Sequence, residues 1–165
     1  MIRSATISPC ERYRYGLIRR WGDGPNMGFI MLNPSTADAE VDDPTIRRCI
    51  GFARREGCGG IVVVNLFPLR ATDPAVLWAT LYPERFGPES DSELQRHLKM
   101  VDGPLVAGWG AEAGQRGEDA VKLTLHYQGY RLMCLGMTKD GHPRHPLYVR
   151  GDAPLVPLRA KHGGA

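Results

Sequence analysis

The stretch Ile61-Val62-Val63-Val64-Asn65 decides the fold of this chain. Four consecutive apolar residues, all of them β-branched, are typical of a strand that is covered on both faces, as in the centre of a parallel sheet. The run stops at an amide side chain. Because ligands bind beyond the carboxyl ends of parallel strands, a polar residue at this point is a candidate for a binding site. The stretch therefore predicts an α/β fold with Asn65 at the ligand-binding edge of its sheet.

Three other apolar runs are predicted to be strands parallel to this one, with helices between them. The runs span residues 27–32, 105–109 and 131–136, and the helices span residues 43–57, 73–81, 90–101 and 118–127. Two of the helices begin at an Asp-Pro pair, which supplies an N-cap followed by proline at the first helical position. Right-handed crossovers place helices on both faces of a parallel sheet. The sequence predicts one domain, residues 1–165, with a three-layer α/β/α sandwich and a central, mainly parallel sheet of about four strands.

The first and last parts of the chain do not follow this alternation of strands and helices. Residues 12–21 are predicted to form a strand that pairs with the next one along the chain. Its alternate residues are expected on one face, namely Tyr13, Tyr15, Leu17 and Arg19. After residue 138 the chain is rich in glycine and proline and has no periodicity, which predicts a loop.

The composition is that of an ordinary globular domain. The chain has 165 residues, of which 42% are apolar and 24% charged, and no apolar run approaches the length of a membrane span. Residues 1–10 lack the apolar core of a signal peptide. We therefore expect a cytoplasmic monomer without membrane association. The four cysteines lack paired spacing, so they are expected to be small, mostly buried thiols, and no iron–sulfur cluster is expected.

The net charge of +3 permits binding to nucleic acid without requiring it. Arg47 and Arg48 follow the first polar motif of the chain, and Arg144 and Arg150 lie at its last one. On a shared face these arginines would form a track for phosphate groups. Otherwise they are solvated side chains on helix and loop surfaces, and both interpretations remain open from the sequence.

Four short polar motifs each come after an apolar run. They are Asn33-Pro34-Ser35-Thr36, Asn65-Leu66-Phe67-Pro68, Gly108-Trp109-Gly110-Ala111 and His142-Pro143-Arg144-His145-Pro146-Leu147. Motifs at the carboxyl ends of strands in one parallel sheet converge on one pocket. Glycine-rich phosphate loops, a serine nucleophile elbow and familiar metal-ligand spacings are absent from the sequence, so no cofactor and no metal ion is predicted.

Together the motifs resemble those of the uracil-DNA glycosylase superfamily. Asn33-Pro34-Ser35 resembles the Asn-Pro-Gly motif of its mismatch-specific branch, residues 105–111 resemble an apolar strand that ends in Leu-Trp-Gly, and residues 142–147 resemble its His-Pro-Ser-Pro-Leu loop with one residue more. The chain also resembles an uncharacterised family of bacterial and phage domains with Asn-Pro-Ser-Thr-Ala-Asp near the start and His-Pro-Leu-Tyr near the end. This second resemblance covers nearly the whole chain but brings no known activity. The first implies a uracil-DNA glycosylase-like fold.

The glycosylase resemblance implies an enzyme that extrudes a base from DNA and hydrolyses its N-glycosidic bond. It implies that Asn65 holds the Watson–Crick edge of the base and that Asn33 positions a water. His145, or else His142, would donate a hydrogen bond to a carbonyl oxygen of the departing base. The other implied contacts are with the base, through Ser35, Phe67 and Trp109, and with DNA, through Arg47, Arg48, Arg144, Leu147, Tyr148 and Arg150.

Within the last motif, the resemblance favours His145 over His142, because Pro146-Leu147 beside it supplies a rigid turn and a wedge. Leu147 or Tyr148 would fill the hole that the extruded nucleotide leaves in the DNA stack.

Departures from that superfamily predict the substrate. Asn33 stands where the uracil-specific enzymes have an activating aspartate, and Ser35 stands where they have a bulky tyrosine that blocks the C5 edge of the pyrimidine. We expect a roomier pocket that prefers C5-modified pyrimidines, such as the modified bases of phage DNA, over uracil. DNA repair and phage defence are the corresponding roles.

Simpler interpretations remain open for the same residues. Asn33 and Asn65 are also suited to turns, and Trp109 to a core. Two other functions are also open: a non-catalytic module that binds nucleic acid or a free nucleotide, and a nucleotide-processing enzyme that needs a divalent metal ion. The position of Asn33 relative to His145 tests the glycosylase hypothesis, because that hypothesis requires both at the same edge of the sheet.

Overall fold

The computed structural model describes residues 1–114, 125 and 128–159, and its centre is one mixed sheet of seven strands. In chain order the strands are β1 (Ile2–Ile7), β2 (Arg14–Arg20), β3 (Asn26–Met31), β4 (Gly60–Asn65), β5 (Leu105–Ala107), β6 (Leu132–Cys134) and β7 (Val156–Pro157). Across the sheet their order is β1-β2-β4-β3-β5-β6-β7. The fold is α/β, as the sequence predicts.

The four strands in the middle of the sheet, β4-β3-β5-β6, are parallel to one another. They correspond to the four apolar runs of the sequence. The prediction of about four strands is nevertheless wrong for the whole sheet, because β1 and β2 extend it on one side and β7 on the other, all in antiparallel pairing. β1 is partly exposed and β7 has two residues, so neither produces an apolar run in the sequence.

The strand order reverses between β3 and β5. The chain passes from β3 to β4 on one side and later returns to β5 on the other side of β3. In open parallel sheets such a reversal leaves a crevice at the carboxyl ends of the two strands. Here those ends are Met31 and Ala107, shortly before the first and third motifs.

Helices cover both faces of the sheet. Helix α1 (Pro44–Arg55) packs on one face, and α2 (Pro74–Ala79) and α3 (Ser90–Leu98) pack on the other. The predictions of helices in these three places are confirmed. The predicted helix over residues 118–127 lies, apart from Leu125, outside the described residues.

Both Asp-Pro pairs begin a helix, as predicted. Asp43 Oδ1 accepts a hydrogen bond of 2.9 Å from Ile46 N, and Asp73 Oδ1 accepts one of 2.9 Å from Ala75 N. Each carboxylate satisfies an amide that has no partner within its helix. Asp43 therefore has a fixed position, directly before α1.

Alternate residues of the central strands supply the two cores. Phe29 of β3 packs in one apolar cluster with Phe52 of α1. Its neighbour Ile30 packs in a second cluster with Leu77 of α2 and Leu98 of α3. Because both faces of β3 are covered, its sequence is a continuous apolar run rather than an alternating one.

The prediction that residues 12–21 pair with the next strand is wrong. β2 lies between β1 and β4, and β4 separates it from β3. The prediction that Tyr13, Tyr15, Leu17 and Arg19 lie on one face of the sheet is also wrong. Thr6 of β1 stands opposite Gly16, but the next residue, Ile7, stands opposite Arg14, so Tyr15 is an extra residue in β2. Such an insertion is a β-bulge, which changes the direction of the neighbouring side chains.

The bulge divides the side chains of β2 between the two faces. Tyr15 stacks on Tyr13, with ring centroids 6.2 Å apart, in the core on the side of α2 and α3. Leu17 instead belongs to the core beneath α1. Arg14 reaches the same side as Leu17, because its Nη1 donates to Ala37 O, and Ala37 is part of that core.

Two buried arginines of β2 fasten the segment between β3 and α1. Arg14 donates to Ala37 O at 2.9 Å. Arg19 donates to the carboxylate of Asp42 at 2.7 Å and to Asp38 O at 2.5 Å. This segment begins with the first polar motif and ends at the cap of α1, so its position depends on these two guanidinium groups.

Two expectations about chemistry and environment can be compared with the structure. Cys49, Cys58 and Cys134 are buried, as expected, whereas Cys10 is exposed. None of the described helices is long and apolar enough to cross a membrane.

We expect Arg19→Met to lower the free energy of unfolding by about 3 kcal/mol, because it removes the buried guanidinium that pairs with Asp42 and donates to the partly buried carbonyl of Asp38. Urea unfolding measures this change. Arg150→Met is the control: Arg150 pairs with Asp152 at side-chain exposures of 87% and 71%. Its loss should cost less than about 1 kcal/mol. Equal effects of the two substitutions would contradict the structural role of Arg19.

Candidate active site

A cavity of about 650 Å³ opens at the carboxyl edge of the parallel strands, beside the reversal between β3 and β5. Its size is typical of sites for small ligands. Eight residues predicted from the sequence line it: Asn33, Ser35, Asn65, Trp109, Arg144, His145, Leu147 and Tyr148. The structure therefore brings Asn33 and His145 to the same edge of the sheet.

Asn65 is the last residue of β4 and has no partner for its amide group among the described residues. It is 6% exposed, and both its Nδ2 and its Oδ1 are buried without a hydrogen bond. Each such group costs about 1–3 kcal/mol of desolvation when it remains unpaired. Asn65 lines the cavity, and its donor nitrogen and acceptor oxygen lie side by side without a partner.

Asn33 follows β3, and of its two amide atoms only the nitrogen forms hydrogen bonds among the described residues. Its Nδ2 donates to Ala71 O at 2.7 Å and to Leu69 O at 3.4 Å, which holds the segment after β4 against the end of β3. The nitrogen is thereby directed to the backbone. Asn33 lines the cavity, and its Oδ1 has no hydrogen bond among the described residues. The hydrogen bonds of Nδ2 therefore agree with the suggested structural role of Asn33 in a turn. The Oδ1 atom is suited to hold a water.

His145 follows a short hairpin. Met137 pairs with Pro143 across it, and Thr138 N donates to His142 O at 2.8 Å. After the hairpin, His145 caps a single turn of 3-10 helix, Pro146–Tyr148. The imidazole is held by this cap and lies on the wall of the cavity.

The cap fixes the tautomer of His145. Leu147 N donates to His145 Nδ1 at 3.1 Å, so Nδ1 is an acceptor and the neutral ring carries its proton on Nε2. Burial lowers the pKa of His145, and the carboxylate of Asp43 partly opposes this effect by raising it. The imidazole is therefore neutral at pH 7. It supplies an uncharged N–H donor.

Glycines after β5 let the histidine segment approach the sheet. A Cβ at Gly108 would lie 3.1 Å from Pro146 Cδ and 3.0 Å from Met31 Sδ. Gly110 has a φ of 75°, in the left-handed region that side chains disfavour. A larger residue at position 108 would push Pro146, and with it His145, away from the strand ends.

Two arginines of α1 fasten the same segment from the other side. Arg48 donates to Pro146 O at 3.3 Å and to Val149 O, and Arg55 donates to Gly151 O at 3.0 Å. Arg48, which the resemblance placed among the DNA contacts, thus bonds to the backbone of the protein itself. Its position links the histidine segment to the helix that Asp43 caps.

Five predicted site residues lie outside the cavity wall: Arg47, Arg48, Phe67, His142 and Arg150. Phe67 packs against Trp78 and Phe86 at centroid distances of 5.7 and 5.3 Å, in the core on the side of α2 and α3. The chain has already left β4 at this point, so proximity to Asn65 in sequence does not place Phe67 beside it. The expectation that Phe67 contacts substrate is not supported by this position.

The other residues outside the wall have surroundings of their own. His142 lies in the hairpin, where its backbone N donates to Thr138 Oγ1 at 3.1 Å. Arg47 donates to Asp42 O at 2.8 Å, and Arg150 forms the exposed ion pair described above. Of the two candidate histidines, His145 is thus the one on the cavity wall.

Three charged residues that the sequence did not single out for the site also line the cavity: Arg14, Asp43 and the exposed Glu112. Arg14 is 2% exposed and Asp43 is 9% exposed. Asp43 could have been found, because its Asp-Pro signal follows the first motif and fixes it at the amino end of α1. The position of Arg14 depends on the bulge in β2, which no periodicity in the sequence indicates.

Within residues 1–114 and 128–159, no group of three or more histidine, cysteine, aspartate or glutamate side chains is placed to hold a metal ion.

One family model matches this chain. It is described as a protein of unknown function (DUF1643), and the match spans residues 14–147. The matched part begins at Arg14 and ends at Leu147, so it includes every cavity residue named above except Tyr148. No curated protein and no solved structure matches the chain.

The imidazole of His145 is expected to titrate below the ordinary value for histidine, about 6.5, because burial disfavours the cation. Two-dimensional ¹H–¹⁵N NMR at pH 7 should show the neutral Nε2–H tautomer. The stabilising contribution of this group is complete above the pKa of the unfolded state and decreases as the pH falls through the lower pKa of the folded state.

Asp43→Asn provides the matched comparison for this titration. It should lower the pKa of His145 further, because it removes the carboxylate that favours the cation while asparagine still caps α1. A higher pKa of His145 in Asp43→Asn than in the wild type would contradict the assigned effect of Asp43. A wild-type pKa at or above about 6.5 would contradict the assigned effect of burial.

Proposed function

This chain belongs to the family described as a protein of unknown function, DUF1643, and we propose that it is a DNA glycosylase-like enzyme. In this proposal the cavity binds a pyrimidine that has been extruded from DNA, and the enzyme hydrolyses its N-glycosidic bond. The resemblance of the four motifs to the uracil-DNA glycosylase superfamily supports the proposal.

The unpartnered amide of Asn65 is the observation that carries the proposal. A buried donor and acceptor on one planar group match the edge of a pyrimidine, which presents a ring nitrogen beside an exocyclic oxygen or amino group. Binding such an edge would satisfy both atoms of Asn65 at once. An apolar ligand would leave both atoms without partners, so the site favours a base over an apolar ligand.

His145 and Asn33 fit the two needs of hydrolysis. When the bond between the sugar C1′ and the base nitrogen breaks, its electron pair stays on the base and spreads onto the carbonyl oxygens. The Nε2–H of His145 would stabilise that charge as a hydrogen-bond donor. A water held by Oδ1 of Asn33 would add its oxygen to C1′ and release a proton to solvent. The base takes a proton in turn, so the products are a neutral base and an abasic sugar.

The rim of the cavity suits a nucleic-acid strand. Tyr148 and Leu147 are 79% and 36% exposed, and either side chain could fill the space that an extruded base leaves. The exposed Arg144 lines the cavity and also a shallower depression beside it, a position from which it could contact a phosphate. These features favour DNA over a free nucleotide.

Ser35 supports the preference for C5-modified pyrimidines. It lines the cavity and is small, and its hydroxyl donates to Thr72 Oγ1 at 3.3 Å. A cavity of about 650 Å³ also has room for more than a bare pyrimidine ring. We therefore propose that the substrate carries a substituent at C5.

His145→Ala is expected to lower the rate of base release by about a hundredfold or more, because it removes the donor to the developing charge. Asn33→Ala should have a comparable effect through loss of the bound water. The assay is cleavage by alkali of duplexes that carry uracil, mismatched thymine, or hydroxymethylated or glycosylated pyrimidines. DNA binding should change little in either variant.

His142→Ala is the matched control, since His142 lies in the same loop but outside the cavity wall, and it should keep the wild-type rate. The proposal is wrong if the wild-type protein produces no abasic sites on any of these duplexes, or if both cavity variants keep full activity. Loss of activity with a chelator would instead favour the metal-dependent alternative.

Asn65→Asp should change which base is accepted. The carboxylate accepts hydrogen bonds but cannot donate one. Bases with an amino group at position 4 should therefore be cleaved faster relative to bases with a carbonyl there. We expect the ratio of the two cleavage rates to shift by at least about a hundredfold. Asn65→Ala is the control and should slow both substrates without a comparable shift. An unchanged ratio in Asn65→Asp would show that this amide does not contact the base.

A further inference from the structure

Arg14 is a buried cation whose hydrogen bonds are incomplete. It is 2% exposed and lines the cavity, and its Nη1 donates to Ala37 O. Its Nε is buried without a hydrogen bond, and none of the described carboxylates forms an ion pair with it. A guanidinium out of water is costly unless an anion or several acceptors surround it.

Arg19 lies five residues after Arg14 on β2 and has a purely structural role. It is also fully buried, but its Nε donates to the carboxylate of Asp42 and its Nη2 to Asp38 O. Its Nη1 donates to Ile18 O at 3.0 Å. The two arginines come from the same strand and fasten the same segment. They differ in that Arg14 faces the cavity and keeps an unused N–H group.

The β-bulge at Tyr15 is what gives Arg14 this position. Regular alternation would place Arg14 on the opposite face from Leu17, among the aromatic side chains beneath α3. The extra residue turns it toward the cavity instead. Bulges are found beside active sites, where they re-aim a side chain.

We propose that Arg14 forms an anion subsite at the inner wall of the cavity and binds the negatively charged form of the departing base. The inference rests on the proposed function and adds to it a second group that stabilises the product of bond cleavage. Two independent observations support this subsite: Arg14 and Asn65 line the same cavity, and each has a buried polar group without a hydrogen bond, the Nε of Arg14 and the side-chain amide of Asn65.

The chemistry favours a guanidinium in this place. The electron pair of the broken C1′–N bond spreads over a planar ring and its carbonyl oxygens, and a planar fork of N–H donors binds such a delocalised anion well. Burial lowers the pKa of Arg14 to about 10, so the group remains charged at neutral pH. Asp43 lies near enough to favour that charge. It caps α1, and so it stays in place when a ligand enters.

The experiment compares a neutral and an anionic base by calorimetry at neutral pH. Uracil is the neutral probe, and 5-nitrouracil, whose ring N–H is acidic enough to ionise under these conditions, is the anionic one. The ratio of their dissociation constants is measured for the wild type, Arg14→Met, Arg14→Lys and the control Arg150→Met. Inorganic phosphate is a third probe, because a phosphate group could also pair with a buried arginine.

Wild-type protein should bind the anion at least about tenfold more tightly than uracil, as expected of a charge-assisted hydrogen bond in a buried site. Arg14→Met should abolish most of this preference and Arg14→Lys should restore part of it. Arg150→Met removes a cation that lies outside the cavity wall and pairs with Asp152 at the surface, so it should keep the wild-type ratio. Retention of the ratio in Arg14→Met would overturn the proposal.

A measurement on the wild type avoids dependence on the folding of any variant. The ¹H–¹⁵N resonance of Arg14 Nε–H should shift when 5-nitrouracil is added and shift far less with uracil. No shift with the anion would overturn the assignment. Binding of phosphate at Arg14 in place of either base would overturn it as well, because the subsite would then serve a phosphate group.

The two proposals fail differently. If both bases bind and Asn65→Asp changes base selectivity, but the ratio for Arg14→Met equals that of the wild type, the proposed function stands and the role of Arg14 is wrong. If neither base binds and no duplex yields abasic sites, the proposed function fails and the base-anion subsite fails with it.

Discussion

Parallel pairing of β3 with a strand on each side is the constraint on which the rest of the structure depends. It sets the carboxyl ends of three strands at one edge and forces the segments that leave β3 and β5 apart. Asn33, Asn65 and Gly108 reach that edge for this reason alone. The antiparallel strands then widen the sheet, and β2 contributes a side wall with Arg14. The strand order thus determines where the cavity lies, and the side chains determine which groups line it.

Buried polar groups in this fold fall into two kinds. Arg19 and the Nδ2 of Asn33 bond to backbone carbonyls and hold segments in place. The amide of Asn65 and the Nε of Arg14 have no such partners among the described residues. A fold tolerates a few unpaired groups of this kind only at a cost in stability, and they gather at sites where a ligand completes them. In this chain both groups belong to residues that line the same cavity.

The sequence predicted those parts of the fold that leave a local mark. The four parallel strands appear as apolar runs because both faces of the sheet are covered, and two helices are marked by Asp43 and Asp73 at their caps. The antiparallel strands β1 and β7 leave no such mark, since one is partly exposed and the other very short. Arg14 was missed because a bulge interrupts the period-two alternation. Phe67 was expected at the base only through the glycosylase resemblance, and no local signal indicates that it packs in the core on the side of α2 and α3.

The bonds from Arg48 and Arg55 to the histidine segment have a consequence for how a ligand enters. They join that segment to α1, which is itself packed on the sheet, so the wall that carries His145 moves with the body of the protein. Entry past this wall then involves no loop opening of the kind that takes microseconds to milliseconds. It depends on rotation of exposed side chains such as Tyr148, which is complete within nanoseconds. Past this wall, selection among ligands falls to side chains rather than to movement of the backbone.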